Sequence, residues 1–317
     1  MASLLIIGGS GFFGKSILDA YRRDLLNTWN IDSIIVLARN ATSLRLQFPE
    51  LIDKSIKLVD ADISTCQEVP FADYVIHAAA STDAENYIAR PEVEKKNIQA
   101  GTYNYCALAK KFHHDSRIIY CSSGAVYGQQ PTGLEFLPED FEVGNLNEMS
   151  PIKRDYAAAK RDAEKAIYAL GLQGRSVSIA RCFAFVGKYL PRDKHFAIGN
   201  FIQDGLMGGP IIVKATNPVY RSYMYADELV HWLMTICNDS NSSCPIYNIG
   251  SDEAITVHEL ADLVAERFSV AMDRPQLIQK TVDRYIPLIS KAKDELGLRL
   301  SINLTDALDK TIEAIRA

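Results

Sequence analysis

An α/β fold built on a doubly wound, mostly parallel sheet is predicted by three features of the chain. Short apolar, β-branched runs alternate with helical patterns over the first 180 residues, a glycine-rich turn joins the first run to the first helix, and the alternation stops after Arg181. Strands are expected at residues 4–7, 33–37, 56–59, 74–77, 117–121 and 176–180, with helices clearest at 14–26, 91–112 and 152–170. Runs this continuously apolar belong to strands buried on both faces, hence to a parallel sheet covered by helices. Right-handed crossovers then wind the sheet in both directions. Residues 182–225 are rich in Gly, Pro, Asn and aromatics, with a helix expected at about 197–207. A strand at 247–249, a helix opening at Thr256 and an amphipathic C-terminal stretch follow.

Composition narrows the function classes. The 317 residues carry a net charge of −5, which offers nothing to attract nucleic acid or an anionic membrane. No apolar run approaches the roughly 18–20 residues needed to cross a bilayer, and 4–7 is too short for a signal peptide core. Cysteines 66, 106, 121, 182, 237 and 244 form no Cys-x-x-Cys, so reduced thiols in a cytoplasmic protein are expected. The six histidines make no metal-binding spacing, and no metal is expected. His113 and His114 fall at a predicted helix end, where cations offset the helix dipole.

Gly8-Gly9-Ser10-Gly11-Phe12-Phe13-Gly14 follows the first strand directly. Glycines there permit a tight turn and close approach of backbone to a pyrophosphate, while the helix start offers unpaired N–H donors. At the end of the second strand stand Ala38 and Arg39. An NAD site usually has an acid there for the ribose hydroxyls, which Ala38 does not supply. Arg39 suits a 2′-phosphate instead, helped by Ser43 or Arg45, so NADP(H) is favoured over NAD(H). Asp62-Ile63, after the third strand, is placed to touch the adenine. Tyr156 and Lys160 are one helical turn apart. With the glycine turn they describe a nicotinamide facing a phenol that exchanges a proton, an oxidoreductase signature. The expected organisation is a dinucleotide-binding domain at 1–181, with returning segments at about 222–255. A smaller, discontinuous substrate-binding lobe takes 182–221 and about 256–317.

Several segments together resemble the extended short-chain dehydrogenase/reductase family, specifically its nucleotide-sugar epimerases, dehydratases and reductases. These are Gly8-x-x-Gly11-x-x-Gly14, His77-Ala78-Ala79-Ala80, Asn97 with Gly101-Thr102, Cys121-Ser122-Ser123-Gly124-Ala125-Val126-Tyr127-Gly128, and Tyr156-x-x-x-Lys160. Arg181-Cys-Phe183, Val186-Gly187, Arg221-Ser-Tyr-Met-Tyr-Ala-Asp227 and Tyr247-Asn-Ile-Gly-Ser251 continue it in the same order. The resemblance spans nearly the whole chain and implies a Rossmann domain. It also implies that Gly8, Gly11, Phe12, Phe13, Gly14, Arg39, Asp62, Ile63, Ala78, Ala79, Ala80, Asn97, Tyr156 and Lys160 hold the cofactor.

By the same resemblance Ser123, Tyr156 and Lys160 are catalytic. Tyr156 exchanges a proton with the sugar oxygen as hydride moves to or from nicotinamide C4, the Lys160 ammonium favours its phenolate, and Ser123 hydrogen-bonds the reacting oxygen. A free phenol, with a pKa of about 10, needs that help to act at neutral pH. Ser81, Thr82, Ser123, His195, Asn200 and Arg221 are implied on the substrate side, Arg221 and Asn200 at the nucleotide diphosphate. Tyr225 reads as a packed aromatic and Asp227 as a cap of the next helix. A homodimer through helices 91–112 and 152–170 is implied by analogy.

Departures sort the subclass. Family dehydratases carry an Asp-Glu pair where Gly124 and Ala125 stand, so dehydration is disfavoured. Ala184 replaces an asparagine that often touches substrate, and Lys214-Ala-Thr-Asn-Pro218 replaces a common loop. The expected activity is reduction of a nucleotide 4-keto-(deoxy)hexose by NADPH. The alternatives are a 4-epimerase with tightly held NAD and, more remotely, a non-catalytic dinucleotide sensor.

Overall fold

The computed structural model describes residues 1–80, 90–149, 151–278 and 281–317 of the chain. Six strands lie where the apolar runs predict them: β1 (Ala2–Ile7), β2 (Ile31–Ala38), β3 (Ile56–Asp60), β4 (Tyr74–His77), β5 (Arg117–Ser123) and β6 (Ser176–Cys182). Among the shorter strands that follow are β7 (Phe185–Val186), β8 (Ile211–Ile212), β9 (Val219–Arg221), β10 (Met224–Tyr225) and β11 (Ile246–Ile249). β11 completes a seven-stranded sheet of order β11-β6-β5-β4-β1-β2-β3, parallel throughout. The reversal of direction at β1/β4 is the doubly wound topology, whose crevice opens at the strands' C-terminal ends.

Both sheet faces are buried, as the unbroken apolar runs require. In β1, Leu4 and Ile6 enter one core while Leu5 and Ile7 enter the other; β5 divides Ile119 and Cys121 from Ile118 and Tyr120 in the same way. Helix α1 (Phe12–Arg22) covers the first face, with Ile17 and Leu18 buried in it. After the four-residue α2 (Leu44–Gln47), helices α3 (Pro91–Phe112) and α4 (Pro151–Leu172) cover the second. Of the later helices, α5 (Ala197–Leu206) packs with α7 (Val257–Phe268) and α9 (Leu304–Arg316) in a separate apolar cluster, while α6 (Ala226–Asn238) returns to the first face. α8 (Ser290–Leu296) lies against β11. Strand β9 pairs with β12 (Ile255–Thr256) and β14 (Asp283–Arg284), and β13 (Met272–Asp273) pairs with β8.

Two local expectations are corrected. Asp227 does not cap α6: Tyr225 holds the N-cap position without a side-chain bond, and Asp227 pairs with Arg23 at 2.6 Å. His113 is not a cation facing the helix dipole, because it is fully buried, where desolvation pulls its pKa down. Its ring bridges Tyr105 Oη (3.2 Å) and the Pro70 carbonyl (3.0 Å). Thr256 does open α7, through a capping box with Glu259. All six cysteines are free thiols, five of them buried. No described helix is long and apolar enough to cross a membrane.

A buried ion pair locks α4 to the sheet. Glu164 accepts Arg181 Nε at 3.1 Å on Oε1 and Nη2 at 2.9 Å on Oε2, while Ser122 Oγ donates to Oε1 at 2.5 Å. Glu164 and Arg181 are only 8% and 7% exposed, so both charges depend on each other for solvation. Replacing Glu164 by Ala strands the guanidinium out of water and is expected to cost about 3–5 kcal/mol. Urea unfolding of the purified variant measures this; a loss below about 1 kcal/mol would show that the pair is not holding the helix.

Candidate active site

The glycine turn is shaped by its neighbours. Gly8 has φ +85°, and a Cβ there would lie 2.6 Å from Ala79 Cα, so the turn rests directly on the end of β4. Gly14 is equally constrained: a Cβ would sit 2.1 Å from the Gly9 carbonyl oxygen. Gly11 caps α1 with no side chain bonded to the helix N-terminus. Backbone N–H groups and the positive end of the dipole therefore face the crevice, a cradle that fits a pyrophosphate. Ala78, Ala79 and Ala80 border it after β4, each partly buried.

Arg39 is exposed just beyond β2. Asp62 turns the chain after β3, its carboxylate accepting Ser64 N–H (2.9 Å) and Oγ–H (2.7 Å). Those bonds, then the Arg39 charge, hold its pKa below the ordinary value. Ile63 packs against Gly101 of α3, and Asn104 Nδ2 donates to the Ile63 carbonyl at 2.9 Å. Asn97 is exposed on α3. Ser81 and Thr82 lie outside the described residues.

β5 runs two residues past its expected end, because Ser123 pairs in register with Cys182 of β6. Ser123 thus sits at the sheet's C-terminal edge, where it caps the short turn Gly124–Tyr127, its Oγ accepting Ala125 N–H at 3.2 Å. Tyr156, Lys160 and Glu164 form one stripe of α4, four residues apart. Glu164 fixes that stripe against β5 and β6. Lys160 is buried and donates to the Cys121 carbonyl at 2.8 Å and to Tyr120 Oη at 3.3 Å. Its Nζ also lies 6.0 Å from the Tyr156 ring centre.

A fourth group, Tyr285, was not anticipated from the sequence. Its ring stacks on Phe183, with centroids 4.6 Å apart. Burial raises its pKa strongly; the nearby Ser123 hydroxyl opposes the shift and the neighbouring Tyr156 adds to it. A Cβ on Gly124 would meet the Tyr285 hydroxyl at 2.6 Å and Phe183 Cζ at 2.7 Å. The place of the absent carboxylate is thus filled by an aromatic pair. Only the aromatic ring of Tyr285 beside Arg284, immediately after a Lys-Thr-Val-Asp run, marks it in sequence, and nothing in that spacing points to Gly124 or Phe183.

Arg221, on β9, pairs with Asp283 of β14 at 3.0 Å, its guanidinium 5.9 Å from the Tyr285 ring centre. The arginine is thereby joined to the Tyr285 segment through one strand pair. Asn200 lies on α5, Nδ2 donating to the Lys194 carbonyl at 2.7 Å while its buried Oδ1 has no partner among the described residues. His195 is exposed just before α5, stacked on Phe196 at 4.2 Å. Tyr225 is partly buried, as a packed aromatic would be. Among the described residues no group of His, Cys, Asp or Glu is placed to hold a metal ion.

The NAD dependent epimerase/dehydratase family model matches residues 4–250. UDP-glucuronic acid decarboxylase 1 of Danio rerio is 29% identical, over 98% of this chain and 72% of the relative. A UDP-glucose 4-epimerase of Thermotoga maritima, solved with UDP-glucose, superposes with TM-score 0.80 at 20% identity over 99% of this chain and 98% of the other. A dTDP-glucose 4,6-dehydratase of Streptomyces venezuelae, solved with NAD, gives TM-score 0.80 at 23% identity over 99% and 96%. At these identities the two structures speak to the fold.

Gly124→Ala forces a methyl group into the Tyr285 hydroxyl and the Phe183 ring. Overpacking of this kind costs about 1–3 kcal/mol. Thermal unfolding should show a lower midpoint than the parent, and an unchanged midpoint would mean the aromatic pair does not occupy that space.

Proposed function

We propose that this chain, which belongs to the NAD dependent epimerase/dehydratase family, transfers a hydride between a nicotinamide dinucleotide and C4 of a nucleotide-activated hexose, in the direction of reducing a 4-keto-(deoxy)hexose with NADPH. The observation that supports this is Lys160 seated on the Cys121 carbonyl, two residues before Ser123 at the end of β5, with Tyr156 one helical turn before it on α4 and the glycine turn following β1 of the same sheet.

The bound dinucleotide supplies the hydride; the protein's own residues handle position and the proton. Gly8, Gly11 and Gly14 let backbone meet the pyrophosphate, with Phe12 and Phe13 opening the helix and Ile63, Asp62, Ala78, Ala79, Ala80 and Asn97 along the adenosine and ribose path. Tyr156 gives the proton to the C4 oxygen as hydride arrives at carbon. Lys160, anchored on the Cys121 carbonyl, offers a fixed positive charge to the negative charge left on the phenol. Arg221 and Asn200 grip the diphosphate in this reading, with His195, Ser81 and Thr82 nearer the sugar. The substrate side is then residues 182–221 and about 256–317.

NADPH is favoured because β2 ends in Ala38 and exposed Arg39 rather than an acid. NAD(H) bound tightly and recycled within one turnover is the second reading, which would make the chain a 4-epimerase like the Thermotoga maritima protein. Loss of the paired carboxylates to Gly124 and Ala125 argues against dehydration. A purely sensory role is disfavoured by retention of all three reacting residues. Cytoplasmic placement belongs to the same reading, supported by six free thiols.

Tyr103 on α3 and Tyr168 on α4 are 49% and 47% exposed, consistent with the proposed homodimer through these helices. Light scattering at micromolar concentration is expected to give twice the chain mass, and a monomer removes that part of the proposal.

Incubation with a panel of UDP-, dTDP-, GDP- and CDP-4-keto sugars is expected to consume NADPH stoichiometrically with one of them. Tyr156→Phe should lower kcat by about 10²–10⁴-fold with dinucleotide affinity nearly intact. Interconversion of 4-epimers without added cofactor would establish the epimerase reading instead. A Tyr156→Phe enzyme with parental turnover would end both.

A further inference from the structure

A lysine ammonium has three N–H donors and no acceptor, so burying one requires oxygens around it. Around the buried Lys160 those oxygens come from β5. Pairing of β4 with β5 ends at His77–Tyr120, while β6 continues to Ser123–Cys182. There β5 presents two oxygens to α4: the Cys121 carbonyl accepts Lys160 Nζ–H at 2.8 Å and the Tyr120 hydroxyl accepts it at 3.3 Å. The Tyr120 side chain enters the face that α4 covers and is fully buried, its ring centre 4.8 Å from Nζ. Burial raises its pKa strongly, so the hydroxyl stays a neutral oxygen. His77, its ring centre 5.4 Å from that of Tyr120, offers no rival cation, because burial pulls its pKa down to about 3 and the Lys160 charge adds to this. Two of the ammonium protons are thus placed on the sheet. The third is left for the side of Tyr156, whose ring centre lies 6.0 Å from Nζ.

We infer that the Tyr120 hydroxyl is one of two acceptors on β5 that fix the Lys160 ammonium, which makes Tyr120 a positioning residue for the proton transfer at Tyr156. The inference rests on the C4 reading above. Tyr120 exchanges no proton and acts only through Lys160. About a single acceptor a lysine chain can still swing; two acceptors on adjacent residues of one strand fix both the distance and the direction of its charge. A charge held in this way meets the phenolate without reorganising as it forms. Removing the hydroxyl leaves a buried N–H short of its acceptor, a loss that is larger where the donor is charged.

The test uses Tyr120→Phe, which keeps the buried ring and removes only the hydroxyl, in the parent and in Lys160→Met. Tyr120→Phe is expected to lower kcat about tenfold or more with the sugar KM within about threefold. In the Lys160→Met background the same change should cost less than about twofold, because its target is gone. Equal losses in both backgrounds overturn the inference. So does full activity of Tyr120→Phe beside an inactive Tyr156→Phe, an outcome that leaves the C4 reading standing. Should the parent turn over no nucleotide sugar, the C4 reading fails. In that case, or where Lys160→Met leaves no turnover to compare, a ligand-free crystal structure of Tyr120→Phe decides whether the hydroxyl fixes Lys160. A Lys160 side chain spread over more than one rotamer supports the inference, and a single rotamer still seated on the Cys121 carbonyl overturns it.

Discussion

The buried contact between Glu164 and Arg181 is the constraint on which the centre of this molecule depends. Removing two charges from water is expensive, and a pair of this kind is often no better for stability than apolar residues of the same volume. Its value here is geometric. Glu164 shares a stripe of α4 with Lys160 and Tyr156, and its partners Ser122 and Arg181 lie on neighbouring strands. A helix free to slide along the sheet would draw Lys160 off the Cys121 carbonyl; the carboxylate fork prevents that. The same arginine lies 4.8 Å from the Tyr127 ring centre, whose hydroxyl donates to Asn248 Oδ1 at 2.7 Å, so β11 is tied in as well.

Where function follows from local chain properties, the sequence was readable. Two-sided burial leaves continuous apolar runs, and the six strands of the dinucleotide half fall where those runs lie. Helix Pro91–Phe112 matches its expected ends, since a proline opens it and the His113-His114 pair follows. Strand and helix ends elsewhere moved by a few residues because neighbouring strands, not propensity, decide where pairing stops. Ser123 is the useful case: its place at the sheet edge comes from register with Cys182.

Contacts that only tertiary structure creates were not readable. Tyr285 reaches Gly124 and Phe183 from a distant part of the chain, and no spacing encodes that approach. Asp227 had the composition of a helix cap but found a stronger partner in Arg23, a guanidinium brought from α1. His113 had a suitable position for a charge but no water to support one. The glycine at 124 shows the same logic from the other side. Its missing side chain reads as a deficit in sequence, whereas in space it is the condition for Tyr285 and Phe183 to enter.

That a late segment of the chain covers Gly124 has a consequence for biosynthesis. Strands β1 to β6 are all contained in the first 182 residues, and a nascent chain can assemble domains in order as it leaves the ribosome. Asn248, which steadies Tyr127, and Tyr285, which lies over Gly124, emerge only afterwards. A polypeptide interrupted before residue 285 would therefore contain the glycine turn and the strands around it while Gly124 lacked its aromatic cover, so the two sides of that edge of the sheet are completed at different moments of translation.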